Sequence, residues 1–222
     1  MRSVNLSLQE IYVQSLWPHS EGILFEKAAQ ASSDLHKSSI QLSSLEGRLI
    51  SFLIRSHACQ KFVEIGTLTG FSALWILQGM SFSSECLLHT FEKNPLHAMA
   101  AQKIFDEHPF SDSIHLHCGD AESELSKIVD DGPFDGIFID GNKSAYSFYL
   151  DWAEQNLKKG GLILADNVLL GGAVYDDQIP TKFSSKNIEG MRSFHRRLAD
   201  PSRYASTLIP TSEGLFAAVK LF

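Results

Sequence analysis

The chain has 222 residues, of which 44% are hydrophobic and 20% charged, a composition that excludes a disordered protein. The net charge of -7 argues against a general nucleic-acid binder, which would be basic. No apolar run reaches the roughly 18 residues of a membrane span, and no signal segment stands at the N-terminus. Cys59, Cys86 and Cys118 form no CxxC pair, so we expect reduced thiols, no zinc site and a cytoplasmic protein.

The first part of the chain has the spacing of amphipathic helices. Residues 5–36 are predicted to be helical in two pieces separated by Pro18. The Ser-rich stretch 31–44 is interpreted as a mobile cover, and Ser43 or Ser44 is expected to cap a helix over 45–57. We expect one domain over residues 1–222, with 1–38 as a helical cover or dimerisation segment.

Strand and helix patterns then alternate five times, which predicts a parallel sheet covered on both faces. The predicted strands are 62–65, 86–91, 113–118, 134–139 and 162–165. Between them, one helix begins at Ser72, one spans 94–107, one follows residues 119–122 and ends at Val129, and one spans 144–157. Residues 158–161 are interpreted as the end of the last of these helices. A loop over 171–185 and a helix over 189–198 precede two final β runs, 204–209 and 215–221.

The segment FVEIGTLTGFS, residues 62–72, is the organising motif. A buried strand leads into a turn with Gly66 and Gly70, and Ser72 opens a helix whose free N–H groups can receive an anionic group. The spacing is neither the GxGxxG of dinucleotide enzymes nor a P-loop. The motif therefore favours a nucleotide-type ligand site, with an ordinary strand-turn-helix corner as the alternative.

Polar side chains follow the predicted strands where they end. They are Glu64, Glu92, Asp120, Asp140, Asp166 and Asn167. Because ligands of parallel sheets bind at the carboxyl ends of the strands, we expect a shared rim of oxygen ligands. Glu92 is placed to accept hydrogen bonds from a ribose diol, unless it is a solvated strand-end acid.

Asp140, Asp166 and Asn167 are hard oxygen donors at neighbouring strand ends, which suits Mg²⁺, Ca²⁺ or Mn²⁺ better than zinc. The alternative is that Asp166 and Asn167 only turn the chain. Lys143 lies three residues after Asp140, and a lysine beside a divalent cation should have a lowered pKa and be able to accept a proton. The histidines, among them His89, His115 and His117, are expected to have surface or packing roles.

Together, VEIGTLTGFS, FEKNP, FDGIFIDGNKSAY and KKGGLILADNVLLGGAV resemble the cation-dependent, S-adenosylmethionine-dependent O-methyltransferases of the caffeoyl-CoA and catechol type. The resemblance runs from about Ser39 to the C-terminus. It implies a Rossmann-like class I methyltransferase fold, in which a seven-stranded, mostly parallel sheet with its last strand antiparallel carries helices on both faces. It also implies a homodimer.

The resemblance further implies site residues. The S-adenosylmethionine site would be lined by Leu42, Glu64, Gly66, Thr67, Ser72, Glu92, Ala121 and Asp140. Asp140, Asp166 and Asn167 would hold the cation, and Lys143 would be the general base, with Asp140 beside it. The implied reaction is a direct displacement, in which the oxygen of a catechol-like phenol attacks the methyl carbon of the sulfonium donor.

The chain departs from the family pattern at Asn142, which replaces an acid, and at Leu170 and Gly171, which replace a Trp and an Asn. The aromatic wall expected for a caffeoyl group is therefore missing, and a small catechol-like phenol is the predicted acceptor. Other hypotheses are a metal-independent methyltransferase, a non-catalytic S-adenosylmethionine-binding protein and, least favoured, an NAD-linked dehydrogenase. No nucleic-acid or membrane partner is expected.

Overall fold

A computed structural model describes residues 8–17, 22–80 and 86–222 and contains one seven-stranded sheet. The strands are β1 Lys61–Ile65, β2 Leu87–Glu92, β3 Ile114–Cys118, β4 Phe134–Ile139, β5 Leu157–Ala165, β6 Tyr204–Ile209 and β7 Leu215–Lys220. Their order in the sheet is β3-β2-β1-β4-β5-β7-β6. Strands β1 to β5 pair in parallel, whereas β7 is antiparallel to both β5 and β6. The predicted Rossmann-like sheet is confirmed.

Helices cover both faces of this sheet. The described helices are α1 Leu8–Ser15, α2 Ile23–Asp34, α3 Ser44–Ser56, α4 Phe71–Gly79, α5 Pro95–Asp106, α6 Ala121–Glu124, α7 Tyr146–Asn156 and α8 Ser185–Leu198. Of these, α2 to α8 contribute buried side chains to the sheet faces. One apolar cluster joins side chains of α2 to α5 with one sheet face, and a second joins α6 to α8 with the other. Within the described ranges, no helix has the length and apolar character needed to cross a membrane.

Strand β1 shows why the central strands are apolar. Phe62 packs into the first cluster, whereas Val63 and Ile65 pack into the second. Because side chains alternate across a strand and both faces are covered, every position must be compatible with burial. Glu64 is the exception, since it is polar and fully buried.

Helix α3 begins one residue earlier than predicted, at Ser44, with Ser43 as its N-cap. The Ser43 hydroxyl accepts a hydrogen bond from the Glu46 N–H, and the Glu46 carboxylate accepts one from the Ser43 N–H. This is a capping box, which satisfies two backbone donors at the start of the helix. Helix α4 likewise begins at Phe71 rather than Ser72, with Gly70 as its N-cap.

The prediction for residues 158–161 was wrong, because β5 runs through them from Leu157 to Ala165. Phe134 pairs with Leu157 but Gly136 pairs with Leu162, so the register shifts and β5 bulges. Gly160 has a φ of +81°, which permits the bulge. A Lys-Lys-Gly-Gly sequence has the same residue types as a helix end, so only the pairing with β4 distinguishes the two.

Several shorter elements differ from the predictions at their ends. Helix α6 stops at Glu124 and continues as a 3-10 helix over Leu125–Asp131, and another 3-10 helix, Lys143–Ala145, precedes α7. Helix α8 begins at Ser185, four residues before the predicted start. Within the proposed cover 31–44, α2 extends to Asp34 and a 3-10 helix spans Ser38–Ile40. Pro18 and residues 5–7 lie outside the described ranges.

Candidate functional site

A cavity of about 1060 Å³ opens at the carboxyl ends of β1 to β5. Its lining includes the strand-end residues Glu92, Asp120, Asp140 and Asn167, whereas Glu64 and Asp166 are almost fully buried. Ser39 and Ile40 contribute from the 3-10 helix, and Pro180 to Phe183 contribute from the loop before α8. The predicted rim of polar side chains therefore forms one wall of a ligand-sized space.

The loop after β1 needs glycine at position 66. Gly66 has a φ of +99°, and a Cβ atom there would lie 2.4 Å from the carbonyl oxygen of Asp140. The Gly66 N–H donates to the carbonyl oxygen of Phe91 at 3.0 Å. Because no side chain fits, the backbone lines the cavity directly and can approach a ligand closely.

Glu92, at the end of β2, has a fixed orientation. One carboxylate oxygen accepts a hydrogen bond from the Leu68 N–H and the other from the Asn94 N–H, each at 2.8 Å. His97 Nδ1 lies 3.5 Å from the same carboxylate. Each oxygen keeps a lone pair after these bonds, so the carboxylate can still accept hydrogen bonds from two neighbouring hydroxyl groups.

Glu64 lies beneath the glycine-rich loop. Thr90 Oγ1 donates to Glu64 Oε2 at 2.5 Å, whereas Glu64 Oε1 has no hydrogen-bond partner within the described chain. Burial raises the pKa of Glu64 to about 7, against the effect of the nearby Ser72 and Thr90 hydroxyl groups. A hydrogen-bond donor brought to the unpaired oxygen would be stabilising at this position.

The other residues implied for the donor site fall into two groups. Ala121 lines the cavity at the start of α6. Thr67 is buried, and its hydroxyl is hydrogen-bonded to that of Thr90. Leu42 is buried and Ser72 is half-buried, and neither of them lines the cavity. Of the eight residues, Gly66, Glu92, Ala121 and Asp140 line the cavity, and the other four do not. The assignment of these eight residues to donor binding stays a prediction.

Lys143 and Asp140 meet at the β4 end of the cavity. Lys143 Nζ lies 2.9 Å from Asp140 Oδ1 and 2.7 Å from the hydroxyl oxygen of Tyr146. Burial acts to lower the pKa of Lys143, but the Asp140 carboxylate and Tyr146 outweigh it and raise that pKa. The sequence analysis predicted a lowered pKa for Lys143 beside a bound divalent cation. For the protein with that cation bound, the lowered pKa stays a prediction.

Asp166 and Asn167 follow β5, the neighbour of β4. The Asp166 N–H donates to the carbonyl oxygen of Ile139 at 3.0 Å, which places residue 166 beside the start of the Asp140 turn. Asn167 has a φ of +55° and lines the cavity, whereas Asp166 is 1% exposed. Two carboxylates and an amide from adjacent strand ends form an oxygen donor set of the kind that hard divalent cations prefer.

The described part of the chain contains no group of three or more His, Cys, Asp or Glu side chains arranged to hold a metal ion. The candidate centre has only two such residues, Asp140 and Asp166, and its third donor is the amide of Asn167. Three protein ligands of this type leave positions for water and substrate oxygen, which is common for Mg²⁺. The cation site therefore also stays a prediction.

The three positions that depart from the family pattern all line the cavity. Asn142 Oδ1 accepts hydrogen bonds from the N–H and the hydroxyl of Ser144, at 3.3 and 2.9 Å. It caps the 3-10 helix Lys143–Ala145. A Cβ atom at Gly171 would have no neighbour within 4 Å, so this part of the wall is open.

Sequence reasoning missed two tyrosines at the site. Tyr146 links Lys143 to the backbone at the ends of β4 and β5, and Tyr149 is buried and lines the cavity. The spacing of Tyr146, three residues after Lys143, was the available signal, because such pairs share a helix face. For Tyr149 the sequence carried no comparable signal, since an aromatic residue in a helix is usually part of the core.

Comparison with known proteins places the chain in a family. A family model described as O-methyltransferase matches residues 19–221. A catechol O-methyltransferase from Niastella koreensis is 28% identical over 200 residues, covering 89% of this chain and 87% of the relative. The structure of TomG from Streptomyces achromogenes, an O-methyltransferase of tomaymycin synthesis in complex with SAM, has a TM-score of 0.87 at 29% identity and covers 100% of both chains.

A second solved structure shows the same likeness. It is the O-methyltransferase from Bacillus cereus in complex with SAH, with a TM-score of 0.85, 26% identity and coverage of 96% of this chain and 97% of that one. The predicted family and enzyme class are therefore confirmed, and the chain belongs to the O-methyltransferase family.

Proposed function

We propose that this O-methyltransferase transfers the methyl group of S-adenosylmethionine to a hydroxyl of a catechol-like phenol, assisted by a divalent cation. We expect Mg²⁺, with Ca²⁺ or Mn²⁺ as alternatives. The main support is one cavity with two chemically different ends. Glu92 lies at the β2 end, and the Lys143–Asp140 pair lies with Asn167 at the β4 and β5 end. The names and bound molecules of the similar proteins agree with this proposal.

Glu92 and the glycine-rich loop are assigned to the methyl donor. The Glu92 carboxylate is held by two backbone N–H groups, so it is preorganised to accept hydrogen bonds from a ribose diol. Gly66 lets the backbone approach the ligand, and Ala121 offers a small apolar surface at the start of α6. This arrangement orients the donor across the strand ends.

Asp140, Asp166 and Asn167 are assigned to the cation, because their donor atoms are all oxygen. When bound, the donor supplies an electrophilic methyl group and the cation supplies positive charge that favours the ionised phenol. In the transfer, the donor's carbon–sulfur bond breaks, a carbon–oxygen bond forms at the phenol, and the phenolic proton leaves.

Lys143 is assigned the role of accepting the phenolic proton. Its amine is held by Asp140 and Tyr146 at the cavity wall, and its side chain is only 15% exposed. To accept a proton, Lys143 must first be neutral, which requires that the charge of Asp140 be offset. Ile40, Leu170 and Phe183 add apolar lining that limits water around the reacting groups.

A metal-independent methyl transfer is the second candidate. The Lys143 ammonium already neutralises one Asp140 oxygen at 2.9 Å, so the chain itself supplies a positive charge at this end of the cavity. In that case the Lys143 ammonium would donate a hydrogen bond to the acceptor oxygen, and the phenolic proton would pass to solvent water. Chelation of divalent cations would then leave the activity unchanged.

The deciding experiment is methyl transfer from labelled S-adenosylmethionine to a panel of catechols and single-hydroxyl phenols, with Mg²⁺ or with EDTA. We expect catechol methylation in Mg²⁺ that falls at least tenfold in EDTA, while calorimetry shows donor binding in both. Full activity in EDTA would favour the metal-independent reaction. Donor binding without transfer to any phenol would remove the proposed acceptor class.

A further inference from the structure

The Tyr146 side chain is held in one place by its surroundings. It is the first residue of α7 and is 1% exposed. Its ring packs edge-on against Phe194 of α8, with 5.3 Å between ring centroids, and lies 6.4 Å from Tyr149. A buried aromatic ring with neighbours on two helices has little freedom to change rotamer, so its hydroxyl is a fixed point.

That hydroxyl lies among three groups of the candidate site. It accepts a hydrogen bond from Lys143 Nζ at 2.7 Å and donates to the carbonyl oxygen of Asp166 at 2.7 Å. The carbonyl oxygen of Ile139, immediately before Asp140, lies 3.2 Å away. A phenol has one hydrogen to donate, and the shorter contact assigns it to Asp166.

We infer that Tyr146 is a positioning residue for the proposed reaction. Its hydroxyl fixes the Lys143 amine and, at the same time, the strand end that carries Asp166 and Asn167. The inference rests on the proposed function and extends it, since none of the sequence motifs assigned Tyr146 a role. Tyr146 acts through Lys143 and the Asp166 backbone and does not itself touch the reacting atoms.

The need for such a residue follows from the chemistry of lysine. A lysine amine is carried by a flexible four-carbon chain, so one ion pair with Asp140 does not fix its direction. Two anchors, Asp140 and Tyr146, use the two N–H donors of the neutral amine and leave its lone pair for the phenolic proton. Without the tyrosine hydroxyl, the amine would sample several orientations and the Asp166 carbonyl would lose a donor.

The test is the substitution Tyr146→Phe, which removes the hydroxyl and keeps the ring. Misplacement of a catalytic group by about 1 Å costs on the order of 100-fold in rate, so we expect kcat to fall about 10- to 100-fold. The KM for S-adenosylmethionine should stay within about twofold, because Glu92 lies at the other end of the cavity. We also expect roughly tenfold weaker Mn²⁺ binding, titrated by electron paramagnetic resonance.

Tyr204→Phe is the matched control. Tyr204 is also a buried tyrosine whose hydroxyl is hydrogen-bonded, in its case to Glu154, and it does not line the cavity. Tyr146→Phe loses the hydrogen bonds to Lys143 and Asp166, and Tyr204→Phe loses the one to Glu154. We therefore expect both variants to lower the thermal midpoint, Tyr146→Phe by more. Only Tyr146→Phe should change kcat and Mn²⁺ affinity, which separates positioning from a general loss of stability.

A double-mutant cycle with Lys143→Met tests whether Tyr146 acts through Lys143. If it does, adding Tyr146→Phe to Lys143→Met should lower kcat by less than twofold. A Tyr146→Phe kcat within twofold of that of Tyr204→Phe, or a fully additive double mutant, would overturn the role toward Lys143. Equal Mn²⁺ affinities of the two tyrosine variants would overturn the role toward Asp166.

Failure of the proposed function gives a different pattern. If the wild-type protein methylates no phenol, the proposed reaction is wrong, and the Mn²⁺ titration alone decides whether Tyr146 supports the cation site. If the wild-type protein is active but binds no Mn²⁺, the cation is excluded. The kcat values of Tyr146→Phe and Tyr204→Phe then decide whether Tyr146 positions Lys143. Absence of both activity and Mn²⁺ binding overturns the inference together with the proposed function.

Discussion

His89 shows what burial does to a single residue. It lies on β2 and is 1% exposed, with Nδ1 2.9 Å from His117 Nε2 and Nε2 3.2 Å from a carboxylate oxygen of Asp131. His115 packs edge-on against it, with 5.1 Å between ring centroids. Burial, and then the neighbouring imidazoles of His117 and His115, lower the pKa of His89 to about 4, although Asp131 acts to raise it.

A pH dependence of stability follows from this pKa. An unfolded histidine titrates near pH 6.5, so between about pH 6.5 and 4 the unfolded chain binds the proton more tightly than the folded one. The contribution of neutral His89 is therefore fully present above about pH 6.5 and is lost as the pH falls toward 4. The loss amounts to about 3 kcal/mol in the free energy of unfolding.

Urea unfolding at pH 7, 5.5 and 4.5 measures this contribution. We expect the wild-type protein to lose stability over that series and His89→Gln to lose about 2 kcal/mol less, because the amide does not titrate. His36→Asn, at an exposed histidine, serves as control and should follow the wild type. An equal decline in His89→Gln and wild type would show that other groups dominate the acid range.

At the scale of the element, the start of α3 shows which of two candidate serines caps the helix. Ser43 and Ser44 were both candidates, and the structure selects Ser43, which forms the capping box with Glu46. Ser44 is already the first helical residue. The two serines are adjacent and chemically identical, so they provide a natural comparison of a capping with a non-capping position.

We expect Ser43→Ala to lower the free energy of unfolding by about 1 kcal/mol, because the Glu46 N–H at the helix start loses its partner. Ser44→Ala should change it by less than about 0.5 kcal/mol, since surface positions away from a cap contribute little. Denaturant unfolding of both variants gives the comparison. Equal effects of the two substitutions would contradict the assignment of Ser43 as the cap.

At the scale of the whole molecule, exposed apolar side chains concentrate on the N-terminal helix α1 and the residue that follows it. Leu8, Ile11, Tyr12 and Leu16 are 86%, 51%, 65% and 51% exposed. Contiguous exposed apolar surface often marks a protein interface. We propose that α1 contributes to the homodimer implied by the family resemblance.

Sedimentation equilibrium at micromolar concentration tests the dimer. For the wild-type protein we expect about twice the chain mass of 24.7 kDa. In the double variant Leu8→Lys, Ile11→Lys we expect the measured mass to shift toward that of a single chain. Met99→Lys, at an exposed apolar residue of α5, is the control and should remain dimeric. A wild-type mass near 24.7 kDa would exclude the dimer.

The parallel sheet, the edge where the cavity opens and the family could all be predicted from local sequence patterns. Apolar strands ending in Glu64, Glu92 and Asp140 predicted both the parallel sheet and the edge at which its cavity opens, since parallel strands place their carboxyl ends together. Gly66 was identifiable as a glycine in the turn after an apolar strand, and the structure adds that a side chain there would clash with the Asp140 carbonyl. Four ordered motifs sufficed to indicate the family.

Tertiary structure alone decided the rest, because the deciding contacts join residues far apart in the chain. The strand character of residues 158–161 depends on pairing with β4. The low pKa of His89 depends first on its burial in the folded sheet and then on His117 and His115 of the neighbouring strand. The role inferred for Tyr146 depends on the Asp166 carbonyl, 20 residues away. Local sequence encodes propensity and periodicity, whereas these contacts exist only once the strands lie side by side.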